Sequence, residues 1–246
     1  FDAIPFVDVT PLQELPHIGT TLQGYEFINS MAIMEINTKR EALNRKEVRQ
    51  AIAYGIDRKF IIDNIWYGFG RPATGPLNAN YEKAGLYSSD VRRFDTPDRI
   101  ATANKLLDDA GLKRGADGMR FKITHDILPY GEQWQRLGEY FKQAMAQIGI
   151  DVTLRYEDVP TFLRRVFTNY DFDLTSNFYY GLADPVLGVH RQYVTDQIRK
   201  GTVFVNSTRY SNPKVDALLK QATIENDPAK RSALYAEFQK IVVEDS

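Results

Sequence analysis

The chain has 246 residues, with 31 Lys and Arg against 32 Asp and Glu and a formal net charge of −1. At 43% hydrophobic residues it holds enough apolar material for one large domain or two small ones, domains running about 50–250 residues, and disorder is excluded as a description of the whole. Charge this balanced, with Arg92, Arg93 and Arg99 interleaved among Asp90, Asp95 and Asp98, gives no field that would draw in a nucleic acid, and the lack of Cys excludes disulfides, thiol nucleophiles and zinc–thiolate sites.

Phe1-Asp-Ala-Ile-Pro5 has no initiator Met and no basic lead into an apolar run, so it reads as a processed or truncated end. No apolar run approaches the roughly 18–20 residues that span a bilayer as a helix. Residues 1–24, punctuated by Pro5, Pro11, Pro16, Gly19 and Gly24, predict a connector without regular structure. Strand material follows at Tyr25-Glu-Phe-Ile28 and at Met31-Ala-Ile-Met-Glu-Ile-Asn37. Val48, Ala51, Ile52, Gly55, Ile56, Phe60 and Ile61 then fall mostly three or four apart and predict one amphipathic helix over 46–66. Gly55 costs that helix on the order of 1 kcal/mol relative to Ala, which points to close packing at that spot.

Residues 67–95 form a Gly- and Tyr-bearing excursion, longer than the roughly 12–15 residues usual for a connection, and read either as a binding loop or as surface padding. Thr96-Pro97 predicts a helix start, with the helix over 99–110 turning Ile100, Ala103, Leu106 and Leu107 inward. A strand at Phe121–His125 is followed by a helix over 132–147 with Leu137, Phe141, Ala144, Met145 and Ile148 inward. Next come a strand at Val152–Tyr156, a short helix around Phe162, Leu163, Val166 and Phe167, and a strand over Phe172–Tyr180. Asp184-Pro185, Asn212-Pro213 and Asp227-Pro228 each open a helix. The alternation argues for an α/β domain, a mixed sheet flanked by helices, because helical connections let neighbouring strands run parallel.

Chemistry is sparse. His17, His125 and His190 are the only histidines, without metal-ligand spacing, so no metal is expected. There is no G-x-S-x-G elbow, and the glycines near Gly68 and Gly70 lack the Lys and spacing of a phosphate loop. No catalytic residue and no cofactor is nominated. A hydrolase or transferase domain stays a minority alternative that would need a nucleophile–base or two-carboxylate constellation at a pocket. The distinctive feature is Asn177-Phe-Tyr-Tyr-Gly-Leu-Ala-Asp-Pro185, aromatic and polar residues leaving a strand for a helix. Ligands of open α/β sheets collect beyond such strand ends.

Residues 44–62, Asn44-Arg-Lys-Glu-Val-Arg-Gln-Ala-Ile-Ala-Tyr-Gly-Ile-Asp-Arg-Lys-Phe-Ile-Ile62, resemble the characteristic segment of the extracytoplasmic solute-binding proteins of the oligopeptide, dipeptide and nickel ABC-transporter family, bacterial solute-binding family 5. Gly70-Arg-Pro-Ala-Thr-Gly-Pro76, Lys105–Gly111, Ile148–Leu154, Tyr210–Leu219 and Asp227–Tyr235 continue the resemblance in order along nearly the whole chain. It implies one lobe of a two-lobed, type II periplasmic-binding-protein-like fold. Residues 1–24 would enter the lobe and 25–246 form it, the N-terminal lobe and C-terminal return segment lying outside this sequence. It also implies a monomer in the periplasm or tethered outside the membrane, which binds a small or peptide-like solute and hands it to an ABC permease, or serves as a sensor. No nucleic-acid partner is implied.

In peptide-binding members a tryptophan near the start of the 177–185 block is followed three positions later by an aspartate that holds the peptide's amino group. Here those positions are Phe178 and Gly181, and Thr175 stands where an oligopeptide binder has Arg. The resemblance therefore implies a solute displaced from plain peptides: a modified peptide, an opine-like or a sugar-conjugated compound. The candidate ligand-binding residues are Phe178, Tyr179, Tyr180, Gly181 and Asp184, with His190, Arg191 and His125 as further candidates for the cleft wall. Asp184 is expected either to replace the missing carboxylate or to cap the following helix, and Arg191 either to face an anionic ligand or to pair with a nearby carboxylate.

Overall fold

The computed structural model describes residues 5–21, 23–24 and 27–246. Four strands, β1 (Ser30–Ile36), β2 (Phe121–Asp126), β3 (Ile150–Arg155) and β4 (Leu174–Tyr180), form a sheet of order β1-β4-β2-β3. The helices in chain order are α1 (Phe6–Gln13), α2 (Lys46–Gly55), α3 (Arg58–Asn64), α4 (Arg99–Asp109), α5 (Glu132–Ala146), α6 (Val159–Leu163), α7 (Pro185–Gly188), α8 (His190–Tyr193), α9 (Pro213–Ile224) and α10 (Pro228–Asp245). β2 is parallel to both β3 and β4 because helical segments cross between them: α5 from β2 to β3, and α6 with a π-helical turn over Arg164–Asn169 from β3 to β4. β1 closes the edge antiparallel, Ser30 opposite Tyr180 and Ile36 opposite Leu174. The result is the mixed, helix-flanked α/β sheet expected. None of the described helices is long and apolar enough to cross a membrane.

Three cores hold the elements that matter for the site, the third of them, with Leu128, Trp134, Phe162 and Phe167, packing against Phe178. In the first, Val48, Ala51 and Ile52 of α2, Ala103 and Leu107 of α4, and Phe141, Ala144 and Met145 of α5 pack against Ile123, Val152 and Leu174 of the sheet. Gly55 has its close packing, since a Cβ there would stand 2.5 Å from Met145 Cε. The second core joins Val215 and Leu219 of α9 to Tyr235 and Phe238 of α10, and to Leu77, Tyr81 and Leu86 from the 67–95 excursion. That excursion carries a 3-10 helix, Ala79–Ala84, started by the Asn78 side chain and burying Tyr81. It is packed structure and not padding.

Four expectations need correction. The single helix over 46–66 is two: the chain is extended at Ile56, and Asp57 restarts it as α3 by accepting the Phe60 amide at 2.9 Å. The connector over 1–24 holds α1, whose Phe6 stacks on Phe69 at 5.5 Å and whose Val9 is buried, so tertiary packing outweighs the penalty of Pro11 within the helix. Thr96-Pro97 forms a turn before α4, which Asp98 precedes as cap residue. In the strand expected at 25–28, Tyr25 and Glu26 lie outside the described residues, and Phe27 and Ile28 form a turn. Asp184, Asn212 and Asp227 cap their helices as the sequence suggests, each accepting a first-turn amide with Pro beside it, and Asp158 caps α6 in the same way by accepting the Thr161 amide.

Candidate functional site

β4 outruns its parallel neighbour. Leu174 and Thr175 lie beside His125 and Asp126 at the end of β2, and Ser176–Tyr180 continue with β1 alone on their other side. The ladder is prolonged by Gly181 N–H to the Asn29 carbonyl (3.1 Å) and Leu182 N–H to that of Ile28 (3.0 Å), where Leu182 turns left-handed at φ 60°. This overhang projects past the carboxyl ends of β2 and β3, where α/β sheets keep their ligands.

Strand alternation sends Phe178 and Tyr180 to one face and Asn177 and Tyr179 to the other. On the first face the Phe178 ring lies 6.0 Å from Trp134, 5.5 Å from Tyr130 and 5.4 Å from Tyr180. Tyr130 is 60% exposed and Tyr180 44%. Neither phenol hydroxyl has a hydrogen-bond partner among the described residues. On the second face the buried Tyr179 hydroxyl donates to Glu35 Oε1 at 2.7 Å, as does Ser207, while Asn177 Nδ2 donates to Oε2 at 3.0 Å. Burial raises the pKa of Glu35, and these three donors offset only part of that rise. Burial and the neighbouring carboxyl hold the Tyr179 phenol well above its ordinary value.

Gly181 is walled in. A Cβ there would stand 2.5 Å from the Tyr81 hydroxyl and 3.2 Å from Asn29 Cβ, and Tyr81 is pinned by donating to the Leu182 carbonyl at 2.9 Å. Gly188 presses from α7, where a Cβ would meet the Tyr180 carbonyl at 2.1 Å. No side chain fits at either glycine.

The remaining candidates are committed elsewhere. Asp184 accepts the Val186 amide at 2.9 Å and pairs with Arg231 at 2.9 Å. Burial works to raise its pKa, but Arg231 and the amide prevail and hold it below the ordinary value. Of the two expectations for Asp184, the geometry is that of the cap. His190 is buried with Nε2 2.9 Å from the Tyr235 hydroxyl, and burial lowers its pKa to about 4. Arg191 is half-buried and donates through Nε to the Gly188 carbonyl at 3.2 Å, and it makes no ion pair with a carboxylate among the described residues. His125 is corrected as a cleft-wall candidate: its ring is wholly enclosed, edge-on to Phe141, with Nε2 2.7 Å from Ser176 Oγ. With nothing but burial acting on it, its pKa falls to about 3.

The strand end thus brings together Phe178, Tyr180 and Gly181, and adds Tyr130, Trp134 and Tyr81, which the sequence reading passed over. Tyr130 was within reach of the same strand-end rule, since Leu128-Pro-Tyr-Gly131 links β2 to α5. Among the described residues no group of three or more His, Asp or Glu side chains could hold a metal ion.

Residues 8–198 match the family model described as bacterial extracellular solute-binding proteins, family 5 Middle. Protein XP55 of Streptomyces lividans is 29% identical over 210 residues, 81% of this chain and 36% of that protein. The glutathione-binding protein GsiB of Escherichia coli K12 is 26% identical over 254 residues, 99% of this chain and 45% of GsiB. HbpA2 of Haemophilus parasuis superposes with a TM-score of 0.82 at 22% identity, covering 100% of this chain and 46% of that one. The periplasmic binding protein DppA of Helicobacter pylori, solved with the peptide STSA, gives 0.79 at 21%, covering 99% and 44%. The chain spans less than half the length of each of these proteins. With its fold shared as a single α/β lobe and more than half of its residues matched to the family model, the chain belongs to the bacterial extracellular solute-binding proteins of family 5.

Proposed function

We propose that residues 25–246 are the second lobe of an extracytoplasmic receptor, entered through residues 1–24, which closes with a partner lobe over a small solute and delivers it to an ABC importer. The solute is peptide-like or small, and it is not an ordinary peptide held by its free amino terminus. The observation that carries this second statement is the enclosure of Gly181. No carboxylate can be placed there, because Tyr81 and Asn29 fill the space a side chain would need. The other nearby carboxylate, Asp184, is neutralised by Arg231 and spent on the α7 cap. A buried ammonium left without an anion costs several kcal/mol. Among related proteins, GsiB is named for binding glutathione and DppA was solved with a peptide, which supports a peptide-like or modified solute in general terms.

Native mass spectrometry of the gently purified two-lobed protein tests the reading. A stoichiometric small molecule released on denaturation, without a free α-amine, is the expected result. Calorimetric binding of trialanine that disappears on N-acetylation would overturn the displaced-ligand reading.

A further inference from the structure

Two tyrosines meet at the overhang without being used by the fold: Tyr180 at the end of β4 and Tyr130 in the link from β2 to α5. Tyr130 and Tyr180 are exposed, and their hydroxyls have no partner among the described residues, whereas Tyr81, Tyr179 and Tyr235 are buried and hydrogen-bonded. Phe178 stands between the two, and its back rests on Trp134, which is itself held edge-on by Trp66 at 5.7 Å. The exposed rings are therefore braced from behind and do not collapse onto each other. The charges flanking this wall in sequence are neutralised within the chain: Glu132 pairs with Arg136 at 2.8 Å, and Asp184 with Arg231. A cationic ligand group would meet no unpaired carboxylate from these two pairs, and Arg191, without an ion pair among the described residues, is bonded to the Gly188 carbonyl.

A wall with apolar ring faces, hydroxyls at the rim and its flanking carboxylates paired matches one ligand chemistry well. A pyranose presents an apolar C–H face and a rim of hydroxyls that both donate and accept. Tyr130 and Tyr180 are tilted by 41° and 63° to Phe178, so a flat aromatic ligand could lie on one ring at a time, whereas a puckered sugar can lean on two. An aromatic ligand would also leave both phenol hydroxyls unused. Resting on the solute-binding reading above, we infer that Tyr130 and Tyr180, braced by Phe178, form a stacking site for an uncharged sugar ring. The solute, or the end of it that this lobe reads, is a glycosyl group.

Saturation-transfer NMR on this chain, with cellotetraose and mannotetraose as probes and N-acetyl-phenylalaninamide as the aromatic control, tests the site. Saturation should reach the sugar ring C–H protons. Tyr130→Ala and Tyr180→Ala should each weaken binding roughly tenfold, and the Phe variants, which keep the ring and lose the hydroxyl, should weaken it less. Both side chains are exposed, so melting temperatures should stay unchanged and confirm that the variants are folded. Transfer to the aromatic control and not to either oligosaccharide would overturn the inference, as would oligosaccharide binding indifferent to both Ala substitutions. A solute without sugar, released from the two-lobed protein and held equally by the Tyr130 and Tyr180 variants, would sink the sugar site while leaving the transport reading intact. No released solute and no oligosaccharide binding would overturn both.

Discussion

His125 and His190 are both enclosed as neutral imidazoles, with pKa values lowered to about 3 and about 4 from 6.5. Each binds a proton more readily unfolded than folded, so each subtracts stability as pH falls below about 6.5, at about 1.4 kcal/mol per pH unit until its folded value is reached. Burial lifts Asp126 to about 6 and also raises Glu35. Those carboxyls have the opposite sign, favouring the folded state at low pH and losing that contribution as pH rises through their folded values. The net profile is therefore a poor reporter, and a variant is needed to isolate one group. His125→Gln can keep the bond to Ser176 without titrating. Urea unfolding at about pH 7 and about pH 4.5 should show the native chain losing roughly 2–3 kcal/mol more than the variant between the two; equal losses would mean that the imidazole is not enclosed. Glu35 makes a second residue-scale prediction. It accepts from Tyr179, Ser207 and Asn177, all neutral donors. Glu35→Gln turns an N–H2 toward the Asn177 amide and should cost about 1–3 kcal/mol, while Glu35→Leu, which leaves all three donors unpaired, should cost more in the same urea measurement.

The elements show how differently two glycines can be required. At Gly55 the obstacle to a Cβ is the methyl end of Met145, which can swing away, and Ala regains about 1 kcal/mol of helix propensity, so Gly55→Ala should be nearly neutral. At Gly188 the obstacles are the Tyr180 carbonyl and the Gly181 backbone, which cannot move without lifting α7 off β4. Gly188→Ala should therefore cost about 3 kcal/mol or more, read as a lowered denaturation midpoint, and equal effects at the two sites would contradict this packing. Much at this scale was legible in the sequence. Apolar spacing found α2, α4 and α5, and Asp-Pro or Asn-Pro pairs marked the starts of α7, α9 and α10. The break at Asp57 was not, because the apolar stripe runs through it and only the cap interrupts the backbone. At the site, the aromatic run 178–180 and Gly181 stood out, but which tyrosine is buried was invisible locally. It depends on Glu35 and Ser207, far from β4 in sequence and met only through the sheet. His125 was misplaced for the same reason: a strand end names a position, and the pleat decides which core the ring enters.

At the scale of the whole molecule, Tyr130 and Tyr180 leave the strand-end wall exposed, and the function proposed above puts a second lobe over it. Ligand pockets bury about 70–90% of their ligand, and a single wall supplies a fraction of that. The two-lobed protein should accordingly bind its solute roughly a hundredfold or more tightly than this chain, a difference that calorimetry on the two proteins side by side would measure; equal affinities would place the whole site on this lobe. The sheet order has a consequence of another kind. Glu35 and Tyr179, bonded across the β1–β4 pair, are 144 residues apart in the chain. At a synthesis rate of about 5–20 residues per second, β1 waits on the order of ten seconds for the strand that will cover its edge. Through that interval Met31, Ile33 and Met34 sit on an unpaired strand, open to the wrong neighbour. The edge that completes the site last is thus the one the nascent chain must protect longest.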